Sequence, residues 1–267
     1  MTAPPTTSTT RTIAHALDVA RHAVRVAGDA SLPFFRTAVQ SSRKADGTLV
    51  TQADQAAERA ILAVIRGAFP DHSILTEETG AHPGRADARW IVDPLDGTHR
   101  FARGLRFWGP LIAFELECQI VAGAAALPAL DETYIAALGL GASRNGQPIR
   151  VSTITEWRAA NIAVGSLARV LDTPCANQAL DLVRDAEYCI AGNDLEGGLL
   201  VARGEAELWI EAGVKPWDVA PLKIIIEEAG GRFTDLAGGF DLNAPVFVAT
   251  NGALHDDALQ RLNRAPA

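Results

Sequence analysis

Trp90-Ile91-Val92-Asp93-Pro94-Leu95-Asp96-Gly97-Thr98 is the stretch on which the reading of this chain turns. Three apolar residues read as the end of a strand, and two carboxylates three positions apart follow at its mouth. A glycine and a hydroxyl come next, where the chain can expose backbone N–H groups. Hard divalent cations take oxygen ligands and often sit beside a substrate phosphate, so this order of residues suits a metal-plus-phosphate site. Asp, Pro and Gly are also ordinary turn residues, and a solvated turn is the competing reading.

Neighbouring segments supply further acids at element boundaries. Ser73-Ile74-Leu75-Thr76 is a short apolar run ending on Glu77-Glu78. Adjacent side chains at a strand end point in opposite directions, so one of those two glutamates is expected to face away. Upstream lies Lys44-Ala45-Asp46-Gly47-Thr48-Leu49-Val50-Thr51-Gln52-Ala53-Asp54, and downstream Lys215-Pro216-Trp217-Asp218-Val219-Ala220. Pro216 suits a first helical turn and Gly230-Gly231 a helix stop, which places Asp218 near a helix N-terminus where an anion is favoured. Each residue has a plainer reading as well. Asp46 can cap its turn, Asp54 can serve the start of a helix, Lys44 and Lys215 can be surface charges, and Trp217 can be core.

These motifs, in this order, resemble the inositol monophosphatase superfamily of magnesium-dependent, lithium-sensitive sugar and polyol phosphatases. The matching positions are Asp46-Gly47 through Val50-Thr51 and Asp54; Glu77-Glu78 with Asp93 to Thr98; and Trp217-Asp218 with Ala220 and Glu228-Ala229-Gly230-Gly231. The resemblance covers nearly the whole chain and implies a layered αβαβα sandwich of mixed α and β elements. It implies that Glu77, Asp93 and the Leu95 carbonyl hold one magnesium ion. Asp93, Asp96 and Asp218 would hold a second, with two or three ions per site and manganese as a substitute. Thr98, paired with Asp46, corresponds to the hydroxyl that positions and deprotonates water beside Glu77, and the N–H groups of Gly97 and Thr98 to a phosphate cradle. A homodimer is the expected assembly.

Composition bounds the function class. The 267 residues are 48% hydrophobic and 21% charged, enough to bury a substantial core in one large domain or two lobes. A net charge of −8 argues against a nucleic-acid partner, which would call for a basic footprint. The Thr2–Thr10 stretch lacks the apolar core of a secretion signal and no run reaches membrane-spanning length, so a cytoplasmic protein without a membrane partner is expected. Cys118, Cys175 and Cys189 are odd in number and lack metal spacing, and are expected to be buried free thiols.

Residues 1–11 read as a flexible tail, 12–152 as an N-terminal α+β lobe with most of the metal ligands, and 153–267 as a C-terminal α/β lobe carrying Asp218 and the specificity residues. Ile13, Ala14, Leu17, Ala20, Val24 and Ala27 recur at helical spacing, and Thr51 opens a helix with Ala57, Ala60, Ile61, Val64 and Ile65 on its apolar face. Strand signals follow at 111–116, 120–126 and 133–138, then the turn dipeptide Asn145-Gly146. After Val151 strands and helices alternate, which predicts sheet-and-helix layers.

Substrate is less legible. The segment Gly104 to Ala113 looks most like the histidinol-phosphate phosphatase branch, although Arg100 stands where Asn or Ser is common and Leu105-Arg106 lacks the usual proline. The resemblance places specificity near Asp194 and Glu196, and together with Arg100 these are the candidate substrate residues. Such acids suit the ammonium of L-histidinol phosphate or the hydroxyls of an inositol or sugar phosphate. Arg100, Arg103 and Arg106 could instead meet a second phosphate, as in a nucleotide bisphosphate. A catalytically idle binding or regulatory member of the family is the alternative from another class.

Overall fold

A computed structural model of the chain describes residues 7–37, 41–43 and 49–265. It opens with α1 (Thr7–Ser31), so the first helix begins inside the stretch read as a tail. Then come β1 (Ser41–Arg43), β2 (Leu49–Thr51), α2 (Gln52–Ala68), β3 (His72–Thr76), β4 (Gly80–His82), β5 (Arg85–Asp96) and α3 (Thr98–Ala102). The antiparallel run β6 (Gly109–Leu116), β7 (Gln119–Leu127), β8 (Glu132–Ala137), β9 (Gly141–Arg144) and β10 (Gln147–Pro148) completes the first half. The second half contains β11 (Asn161–Val164), α4 (Leu167–Leu171), α5 (Ala176–Asp185), β12 (Tyr188–Ala191), α6 (Leu195–Ala202) and β13 (Leu208–Ala212). It ends with α7 (Pro216–Glu228), β14 (Arg232–Asp235), β15 (Val246–Thr250) and α8 (His255–Leu262).

Eight strands form one sheet in the order β10-β9-β8-β7-β6-β5-β3-β4, and five form a second in the order β12-β11-β13-β15-β14. In the larger sheet β3 runs parallel to β5 and the other pairs are antiparallel. Strand alternation sends successive side chains to opposite faces and so divides the core into layers. Trp90, Val92, Ile112 and Phe114 pack under α1 and α2, against Ala16, Ala20, Ile61 and Ile65. Ile91, Leu111 and Ala113 point the other way, onto Leu199, Leu222 and Ile225 of α6 and α7 and, beyond them, Trp209, Phe233 and Phe247 of the second sheet. The outer face of that sheet, with Ile162, Leu208 and Val248, is covered by Ala179 and Leu182 of α5 and Ala258 and Leu262 of α8. The result is the layered αβαβα sandwich, its middle helical layer shared by both sheets.

The first sheet ends at Pro148 and the second begins at Asn161, on either side of the position read as the lobe boundary. Among the described residues no helix is long and apolar enough to cross a membrane. The cysteines are free, but only Cys175 is buried; Cys118 is exposed in the β6–β7 turn at φ 63°, a correction to the expectation of three buried thiols.

Candidate metal and phosphate site

A cleft of about 510 Å³ opens where the C-terminal end of β5 faces the start of α7 and the loop before α6. Glu77, Asp93, Leu95, Asp96, Gly97, Thr98, Asp194 and Asp218 all line it. Each central carboxylate is aimed by a backbone N–H. Leu95 donates to Asp93 Oδ1 at 2.8 Å, Leu195 to Asp96 Oδ2 at 2.7 Å, and Lys215 to Asp218 Oδ2 at 2.8 Å. The first bond follows from the shift in β5–β6 pairing between Asp93 and Asp96, a bulge around Pro94 and Leu95 that turns both carboxylates toward the cleft. The third belongs to the first turn of α7, where Asp218 caps the chain entry.

One oxygen from each of Asp93, Asp96 and Asp218 lies within 4.8 Å of the others. Burial, then Glu77, Asp96 and Asp218, hold the Asp93 carboxyl well above the usual carboxylate range. Asp96 is raised likewise by burial, then by Asp194 and Asp218, and burial pushes Asp218 up to about 7. Three carboxylates this close repel one another in a desolvated site unless a cation sits among them. The donors are all oxygen, with the Leu95 carbonyl alongside, which fits a hard divalent cation.

Gly97 sits at φ +80° immediately before α3, a left-handed conformation that a side chain resists. A Cβ there would also meet the Phe107 carbonyl at 3.1 Å. Thr98 then directs its hydroxyl at Asp54 Oδ1, 3.1 Å away, and at the Leu95 carbonyl at 3.2 Å. Asp46, expected as the partner of Thr98, lies outside the described residues, as does Lys44. Among the described residues the carboxylate beside Thr98 is Asp54, which sequence reasoning left with a structural role. Its other oxygen accepts from the Thr51 N–H at 2.8 Å and the Thr51 hydroxyl at 2.5 Å, closing the box that starts α2. The signal was present in Thr51-x-x-Asp54, because a capping box fixes where the carboxylate points.

The candidate substrate residues contact one another. Asp194 lines the cleft, but it pairs with Arg100, whose Nε is 3.0 Å from Asp194 Oδ2 and whose Nη1 is 3.5 Å from Glu196 Oε2. Arg103 and Arg106 are exposed and are not among the residues lining the cleft, so the three arginines do not converge on it. Its basic groups are His99, Arg169 and Lys215 instead. Trp217 both lines the cleft and packs on the central core.

Glu211 was not singled out from sequence as a site residue. It is 3% exposed, accepts from the Ser166 N–H at 3.2 Å and from the Ala212 N–H at 3.0 Å, and is pushed up to about 8, chiefly by burial. Gly165 makes room for it, since a Cβ there would lie 1.7 Å from Glu211 Oε2. A charged residue in the otherwise apolar run Leu208-Trp209-Ile210 was the available sequence signal.

Residues 9–267 match the profile of the inositol monophosphatase family. A histidinol-phosphatase of Chlorobaculum parvum is 39% identical over 224 residues, spanning 83% of this chain and 86% of that protein. The Nus factor SuhB of Pasteurella multocida is 34% identical over 230 residues, spanning 84% of this chain and 86% of that protein. Among solved structures, the inositol monophosphatase of Anabaena superimposes with a TM-score of 0.84 at 31% identity, covering 96% of this chain and 98% of that one.

Proposed function

The chain belongs to the inositol monophosphatase family, and on that premise we propose that it is a magnesium-dependent phosphomonoesterase acting on L-histidinol phosphate. The observation that carries the phosphatase reading is the convergence of Asp93 and Asp96, on β5, with Asp218, on α7 and 125 residues after Asp93, to within 4.8 Å. Glu77, Asp93, the Leu95 carbonyl, Asp96 and Asp218 are the residues that would hold magnesium, with manganese able to replace it. When bound, the ions supply positive charge to the phosphoryl and leaving oxygens and acidify the attacking water.

The remaining chemistry belongs to the chain. Thr98 commits its proton to Asp54 or to the Leu95 carbonyl and offers the hydroxyl lone pair to a water. Asp54 receives the proton that the water loses, relayed through that hydroxyl, and its burial and raised affinity for a proton suit the task. The N–H groups of Gly97 and Thr98 receive the phosphoryl oxygens. Glu77 completes the acidic wall of the cleft.

Histidinol phosphate is preferred over other esters because relatives bearing the histidinol-phosphatase name are 39% and 36% identical to this chain. The buried Glu211 also offers a carboxyl acceptor in the cleft to an ammonium group. A panel of histidinol phosphate, inositol 1-phosphate, fructose bisphosphate and adenosine bisphosphate tests the choice. The highest kcat/KM is expected for histidinol phosphate; a win for inositol 1-phosphate would assign the second reading, which the Anabaena relative favours. The likeness to Nus factor SuhB supports a regulatory role as a reading of another class. Release of no phosphate from any ester at saturating magnesium would decide for it. Homodimeric assembly in the cytoplasm is part of the same proposal, with light scattering as the check on the dimer.

A further inference from the structure

Arg100 spans the gap between the two halves of the molecule. It leaves α3 two residues after Thr98, and its guanidinium reaches Asp194 and Glu196 at 3.0 and 3.5 Å. Its side chain is only 14% exposed and that of Glu196 12%, so the pair with Glu196 is shielded from the screening that makes surface ion pairs weak, while Asp194 is more open at 38%. Between those two acids lies Leu195, whose N–H donates to Asp96 Oδ2 at 2.7 Å. Arg100 therefore grips the residues on both sides of Leu195, whose N–H aims Asp96.

The geometry has a local physical logic. Asp194-Leu195-Glu196 is the entry to α6, and the first N–H groups of a helix have no partner within it and favour an anion. Asp96 takes one of those positions from across the molecule. A planar guanidinium can address two separate carboxylates with two fixed donors, whereas an ammonium offers a compact point charge. Arg100 also faces Asp194, whose negative charge otherwise bears on Asp96. Neither Arg100 nor Glu196 is among the residues lining the cleft, and two carboxylates already occupy the guanidinium.

We propose that Arg100 is a positioning residue for the metal cluster: by clamping Asp194 and Glu196 it holds the Leu195 N–H on Asp96, and so sets divalent-ion affinity without contacting the substrate. The inference rests on the reading of Asp96 as a metal ligand. Groups that orient ligands from behind typically change metal affinity by about tenfold to a hundredfold when removed.

Manganese binding to the full chain, read by electron paramagnetic resonance of the free ion, tests it without any turnover. Arg100→Gln is expected to weaken manganese binding by about tenfold or more, while Kd for inorganic phosphate at saturating manganese stays within about twofold of wild type. Glu196→Gln should give a smaller loss in the same direction. The double variant should lose no more than Arg100→Gln alone, because the two residues act as one unit. Unchanged manganese affinity in Arg100→Gln, or weakened phosphate binding at unchanged manganese affinity, overturns the proposal. If circular dichroism shows that Arg100→Gln does not fold, Glu196→Gln decides on the same two readouts. A wild-type chain that binds no manganese would instead overturn the metal-site reading, and this inference with it.

Discussion

At the scale of single residues the acidic cluster has a sharp consequence. Asp96 is aimed by Leu195 from another element, so Asp96→Asn should preserve the fold while removing charge where the reaction needs it. Phosphate release is expected to fall by at least about a hundredfold at saturating magnesium, the scale of loss seen when a key charge-stabilising group is removed. Turnover near the wild-type value would refute the assignment. Thr98→Val keeps the shape but removes the hydroxyl that faces Asp54; kcat should drop by about a hundredfold or more with KM little changed. A change confined to KM would place Thr98 in binding alone. The acidic cluster of Asp93, Asp96 and Asp218 was legible from the motif, whereas the approach of Asp54 to Thr98 was not. Asp46 lies outside the described residues, and the capping geometry of α2 brings Asp54 to the hydroxyl.

A different residue contributes to the pH dependence of stability. His255 is fully buried between Thr234 and Thr250, its Nε2 and Nδ1 each 3.0 Å from a hydroxyl oxygen. Thr234 spends its own proton on the Asp235 carbonyl at 2.8 Å, so Nε2–H donates to Thr234 and Nδ1 accepts from Thr250 in a neutral ring. Burial, with Arg232 nearby, lowers its pKa from 6.5 to about 4. The unfolded chain therefore takes up the proton first. The contribution of neutral His255 is whole above about pH 6.5 and is lost as pH falls toward 4. His255→Gln, which cannot charge, should lose less stability than wild type between those values in urea titrations; equal losses would contradict this account.

Elements deliver these residues through their ends. The box at Thr51 starts α2 and orients Asp54 together, so Thr51→Ala should cost about 1 kcal/mol of stability and also lower turnover through the displaced carboxylate. Lost stability with unchanged kcat would separate the two roles. Sequence periodicity captured the long elements because their apolar faces are deep: α1 and α2 bury residues at every turn, and β6 and β7 carry continuous buried runs. α4, β14 and α8 leave a much weaker trace in the sequence. Two buried residues in β14 and one in α4 are too few to give a period, and α8 buries its face only because the second sheet lies beneath it.

For the whole molecule, the substrate wall was the least legible part, for a physical reason. Arg100, Asp194 and Glu196 have the chemistry of ligand contacts, but folding brings them against one another and spends their charges internally. Ser166, Arg169 and Glu211, which line the cleft with Asp194, come from β11–α4 and β13 and converge only once the five-stranded sheet has formed. The layered fold and the acidic cluster were readable because each rests on local pattern at strand and helix ends. The central claim is that both halves of the chain jointly hold divalent cations at this acidic mouth. Crystals of the protein grown with manganese, measured for anomalous scattering at the manganese edge, test it directly. Peaks are predicted among Glu77, Asp93, Asp96 and Asp218; peaks elsewhere only, or none there at saturating manganese, would contradict the account.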